Sequence, residues 1–114
     1  VNDKKKTMPR TLPVLGDRFA VAEVTGLHDD DDLASALDGC QTGHRIKINA
    51  DNDVSKRWRA LLHETMHGAL YVTGVQSVLD PNIEEIIVQT LETHVNQFMR
   101  LHGTAYLAAI KGDV

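Results

Sequence analysis

Two kinds of period divide the chain into elements. Residues 44–49, His-Arg-Ile-Lys-Ile-Asn, alternate strictly. Ile46 and Ile48 then share one face and Arg45 and Lys47 the other, which predicts a half-buried strand. In residues 17–24, Phe19 and Val21 sit between small or charged neighbours, which predicts another strand. Near residue 53 the period lengthens. Trp58, Leu61, Leu62, Thr65, Met66, Ala69 and Val72 recur at helical spacing, with Asp51 or Asp53 as cap and Gly74 as stop. Trp58 reads as a core anchor of this helix. After a loop at 75–79, Asp80 caps a second helix with Pro81 in its first position, where a missing N–H costs nothing. Ile83, Ile87, Leu91, His94, Val95, Phe98 and Leu101 continue it. Gly103 is expected to interrupt this helix, and residues 104–111 to add a last turn or two.

The remaining segments are less regular. Residues 1–13 are polar, carry Pro9 and Pro13, and read as a flexible arm ahead of a single domain at 14–114. Residues 25–43 contain Gly26, Gly39, Gly43 and the acidic run Asp29 to Asp32. They read as a long connection, with a short helix at 31–38 capped by Asp31 or Asp32. The acidic run lacks the spaced oxygens, central Gly and final Glu of a calcium loop, and reads as a solvated segment.

Composition narrows the function classes. A length of 114 residues fits one domain, and a small core gains from a bound metal. The formal net charge of −4 argues against nucleic acid or an anionic membrane as partner. The run Lys4-Lys5-Lys6 is local. Cys40 has no second cysteine to pair with, so nothing points to an oxidising compartment. No apolar run reaches the ~18 residues of a membrane span, and no signal peptide is visible. The expected location is cytoplasmic.

The chemistry concentrates in the first helix. His63-Glu64-Thr65-Met66-His67 is an H-E-x-x-H motif. Histidines four apart project one turn above the other, so both can reach one ion. Glu64, next to the first ligand, can reach a water on that ion without binding it, as a general base does. Zn²⁺ is the ion such nitrogen donors favour, and it needs a third protein ligand. The second helix offers Glu84 and Glu85. Glu84 shares its face with Ile87, Val88, Leu91 and Val95, a buried face on which an ionised carboxylate needs a cation. It is the first choice of ligand. Glu85 lies with Gln89, Glu92 and Asn96, a face expected to meet solvent, and is the fallback. His94 and Tyr71 are candidates to contact a developing oxyanion or to support a ligand. Tyr106 is a weaker one. His44 precedes the strand, and His28 and His102 read as exposed residues.

These residues carry a family resemblance. Ile46 to Asn49, then Leu61 to Leu70 with the motif, then Glu84 to Val88 follow the strand–helix–helix order of gluzincin metallopeptidases. The chain resembles their smallest members, the ImmA/IrrE-like and SprT-like zinc peptidases of phages and mobile elements, over about half its length. Thr65 departs from the family, which has an apolar residue there, and the family's Glu-x-x-Ala-Asn is missing. The resemblance implies an α+β, zincin-like fold: a short antiparallel sheet packed on the motif helix, with a second long helix supplying Glu. It implies His63, His67 and Glu84 as zinc ligands and Glu64 as base. The strand at 44–49 would be the edge along which an extended protein or peptide substrate pairs. The implied activity is peptide-bond hydrolysis. The rival expectation is a zinc-stabilised module that binds, or regulates, a single partner without cleaving it.

Overall fold

The computed structural model describes residues 8–112, apart from the side chains of residues 33 and 34. Strand β1 is Thr11–Val14, β2 Asp17–Val24, β3 His28–Asp29, β4 Asp32–Ala36, β5 Gly39–Thr42 and β6 Arg45–Asn49; helix α1 is Val54–Val72 and α2 Pro81–Lys111. A single 3₁₀ turn, Val75–Ser77, lies between the helices.

Four strands form one sheet in the order β1-β2-β6-β5. β2 and β6 pair in parallel, with Val21 beside Ile46 and Glu23 beside Ile48. β1 and β5 add antiparallel strands on the two sides. The sheet is therefore mixed, not the short antiparallel sheet expected. β3 and β4 form a separate two-stranded ribbon. The predicted helix at 31–38 is a correction: those residues are mostly β4. Asp32 does accept from the Ser35 hydroxyl at 2.8 Å, but as a turn-like contact at a strand start.

Alternation explains the core. Phe19, Ile46 and Ile48 are fully buried, with Val21 beside them. They meet Ala60 and Leu61 of α1. Met8 and Val14 complete the cluster, so residues 8–14 belong to the folded body. Of the expected flexible arm, residues 1–7 lie outside the described residues. The β1–β2 hairpin turns through Leu15 and Gly16, both at positive φ (50° and 89°).

The helices start where capping chemistry says they should. Asp53 accepts from Lys56 N at 2.8 Å, and Asp80 accepts from Asn82 N at 2.8 Å. Pro81 opens α2 and Glu84 sits in its first turn, where the dipole favours an anion. Gly103 does not interrupt α2, which runs unbroken for 31 residues. Trp58 is 43% exposed rather than a core anchor. Ile87 and Leu91, expected on the buried face of α2, are 36% and 50% exposed. No helix among the described residues is long and apolar enough to cross a membrane.

Candidate metal centre

The sheet packs on one side of α1, and α2 lies on another. The contact with the sheet is close at two glycines. A Cβ on Gly68 would come within 2.9 Å of the Phe19 ring, and one on Gly39 within 3.1 Å of Glu64 Cγ. Gly68 lets α1 settle on Phe19, and Gly39 brings β5 against the motif. The remaining face of α1 turns His63 and His67 toward α2.

Three donor atoms converge there. His63 Nε2 lies 3.3 Å from His67 Nε2. Glu85 Oε1 lies 2.7 Å from His63 Nε2 and 3.3 Å from His67 Nε2. Ligand bonds of 2.0–2.1 Å around a tetrahedral ion put ligand atoms about 3.3–3.4 Å apart. Two of the three spacings match, and the third closes by a small movement of the half-exposed Glu85. The group His63, His67 and Glu85 could hold a metal ion.

The back of each imidazole is also fixed. His63 Nδ1 donates to Glu92 Oε1 at 2.6 Å, and His67 Nδ1 donates to Glu84 Oε2. A carboxylate on Nδ1 selects the tautomer that leaves Nε2 free and makes it a stronger ligand. Glu84 is held in turn by Gln76 Nε2 at 2.9 Å, which also donates to Gln41 Oε1 at 2.8 Å. Glu84 is thus buried, as its face predicted, but a histidine N–H and a glutamine amide satisfy it. The carboxylate that joins the donor cluster is Glu85, the fallback. Glu92 and Gln76 were missed by the sequence reading. The spacing of Glu85 and Glu92, seven residues apart, was the available signal.

Glu64 is buried, at 6% exposed. Burial, reinforced by the charges of Glu85 and Glu92 and opposed by His63 and His67, pushes its carboxyl up to about 7. Burial works against protonation of His63. The hydrogen bond to Glu92 and the charges of Glu64, Glu85 and Glu92 outweigh it and raise its pKa. Glu64 and Glu85 both line two cavities. One, of about 320 Å³, runs toward Lys56 and Arg59. The other, of about 540 Å³, runs along β5 toward Gln76 and Pro81. Gly39 borders both, so a continuous cleft passes the cluster beside β5. That strand is one of the two edge strands of the sheet, β1 being the other. β6, the expected edge, is paired on both sides. Burial and the Glu64 charge push the Cys40 thiol up, which suits a packed residue of β5 better than a nucleophile.

The other candidates lie elsewhere. Tyr71 packs edge-on against His44, ring centroids 5.0 Å apart, and His44 pairs with Asp17 at 2.9 Å. His94 is exposed on α2 beside Phe98. Neither Tyr71 nor His94 lines either cavity of the cleft. Tyr106 stacks edge-on against Phe98, ring centroids 5.6 Å apart. Compared with protein-family models, curated proteins and solved structures, the chain matches none. Two histidines and a glutamate are placed here so that they could hold a metal ion, with a buried glutamate beside them.

Proposed function

We propose that the chain is a zinc-dependent peptidase, with His63, His67 and Glu85 as metal ligands and Glu64 as general base. The observation that carries this reading is the convergence of His63 Nε2, His67 Nε2 and Glu85 Oε1 on one point. Two imidazoles and a carboxylate are a donor set that zinc favours, and three protein ligands leave a position for water or substrate. Bound zinc supplies Lewis acidity and makes water an effective nucleophile at neutral pH.

The chain's residues do the rest. Glu64 accepts the proton of the attacking water and passes it to the leaving amine. Its carboxyl, poised near 7 without the metal, ionises more readily beside a cation. Glu92 and Glu84 hold the two ligand imidazoles in register. β5 offers unpaired backbone groups to an extended peptide, which would add as a further strand and lie in the cleft across Glu64.

The test combines metal analysis with cleavage. Purified chain is expected to hold one zinc and to cut an unfolded protein substrate. Glu64→Gln is expected to keep the zinc and lose activity, and a chelator to abolish cleavage by the wild type. Stoichiometric zinc with no cleavage of any substrate in a broad peptide library would instead favour the binding module.

A further inference from the structure

The cleft has two ends of different chemistry. β5 and α1 start at the same end, where Asp38 and Gly39 line the smaller cavity together with Lys56 and Arg59. The larger cavity follows β5 from Gly39 to Gly43 and meets Gln76 and Pro81. His63 lines the first cavity and His67 the second, so the donor cluster lies between them. The Gln76 end offers amides. The other end offers two cations, on the stripe of α1 that continues back from His63.

The charges at that cationic end are not equally engaged. Asp38 accepts from Asn52 Nδ2 at 3.0 Å and lies 3.5 Å from Lys56 Nζ. Glu92 accepts from His63 Nδ1, and Glu85 belongs to the donor cluster. Arg59 stands apart. It lines the cavity, and among the described residues it makes no hydrogen bond or ion pair. A guanidinium is a planar fork of donors that fits a carboxylate through two parallel bonds.

Strand polarity says which part of a substrate reaches it. A peptide that pairs antiparallel to β5, the more stable mode, runs from the Gln76 end to the Arg59 end. Residues after the scissile bond then pass Arg59. Arg59 precedes His63 by four residues, about 6 Å along a helix, and an extended peptide advances about 3.3 Å per residue. The first two residues after the bond are therefore the ones within its reach.

We propose that Arg59 is a specificity-determining residue of the cleft, which takes a substrate carboxylate at the first or second position after the scissile bond. The carboxylate belongs to an Asp or Glu side chain or to the end of the peptide. The position of the bond rests on the peptidase reading, whereas capture of the carboxylate does not require cleavage.

Peptides with amidated ends that differ only in Glu against Gln at these two positions test it. Zinc-loaded wild type is expected to show a kcat/KM about 10-fold higher for the Glu peptide. Arg59→Gln should bring that ratio near one, and Arg59→Glu should turn the preference to Lys. Arg59 is exposed on α1, so helical circular dichroism and zinc content should stay unchanged in both variants. The other source is read with Gln peptides that end one or two residues after the bond, as free acid against amide. A gain by the free acid that Arg59→Gln abolishes assigns the carboxylate to the peptide end. Cleavage with no preference for either carboxylate, or a preference that persists in Arg59→Glu, overturns the assignment and leaves the peptidase reading standing. Binding separates the two claims in the other direction, through the anisotropy of labelled peptides on the zinc-loaded Glu64→Gln chain. The Glu peptide should be held about 10-fold tighter than the Gln peptide. Such binding with no cleavage by the wild type supports Arg59 as the carboxylate anchor and removes the peptidase reading. Equal binding of the two peptides overturns the proposal.

Discussion

Glu84 and Glu85 are neighbours in sequence with different work. Glu84 is buried on His67 Nδ1 and Glu85 is half-exposed beside both Nε2 atoms. Their substitutions separate accordingly. Glu85→Ala removes a donor atom, so zinc should be lost at submicromolar free metal, as read by competition with a chromophoric chelator. Glu84→Ala and Glu92→Ala keep the three donors but release an imidazole, and should weaken zinc by about 10–100-fold. Equal effects of Glu84→Ala and Glu85→Ala would contradict this division. Glu64→Gln keeps the shape of the side chain and loses its basicity. It is expected to lower kcat/KM by about 10²–10⁴-fold with zinc content unchanged, as measured on a peptide the wild type cleaves.

At the scale of elements, the closest fit is α1 against β2. Phe19 is fully buried and its ring fills the space a side chain at position 68 would need. Gly68→Ala must push the ring or the helix aside, at a cost of about 1–3 kcal/mol, measurable as a lower denaturation midpoint. A neutral outcome would mean that the ring has room to turn. The strands at 17–24 and 45–49 were legible in the sequence because each has one buried face, and alternation records that. β1 and β5 are four residues each, too short for a period to emerge, and their pairing depends on contacts distant in sequence. β4 was mistaken for a helix because an Asp before a small-and-apolar run suits a cap as well as a turn. The two faces of α2 were harder still. Both carry apolar residues, so spacing alone could not say that the face of Glu85 and Glu92 meets α1 while Ile87 and Leu91 stay exposed. The motif helix had no such ambiguity, since H-E-x-x-H fixes its own geometry.

At the scale of the molecule, the radius of gyration is 15.2 Å, against about 13 Å for a compact domain of this length. The excess reflects the long reach of α2, and stability must come from a small core and the centre between the helices. That centre gathers four carboxylates and two histidines, and its balance depends on pH. Without metal, the Glu64 carboxyl stands at about 7 rather than its ordinary 4.5. A raised folded-state value contributes stability below the unfolded pKa and loses it as pH rises through the folded one. His63, also raised, has the same sign. The metal-free chain should therefore be more stable near pH 5 than near pH 8. The Glu64 share is at most about 3 kcal/mol, and Glu64→Gln should flatten the profile by that share. If the centre takes zinc, as proposed, the trend should reverse: a metal ion binds deprotonated ligands, so its affinity rises with pH, and its positive charge would meet the ionised carboxylates. At free zinc a hundredfold above Kd, binding adds about 2.7 kcal/mol, or roughly 10–20 °C in Tm for a domain of this size. The increment in Tm from zinc should accordingly be larger at pH 8 than at pH 5.5 when both are scanned calorimetrically at fixed free metal. An increment that shrinks as pH rises would mean that protons are not displaced from His63 and its neighbours, and that the metal binds elsewhere on the chain.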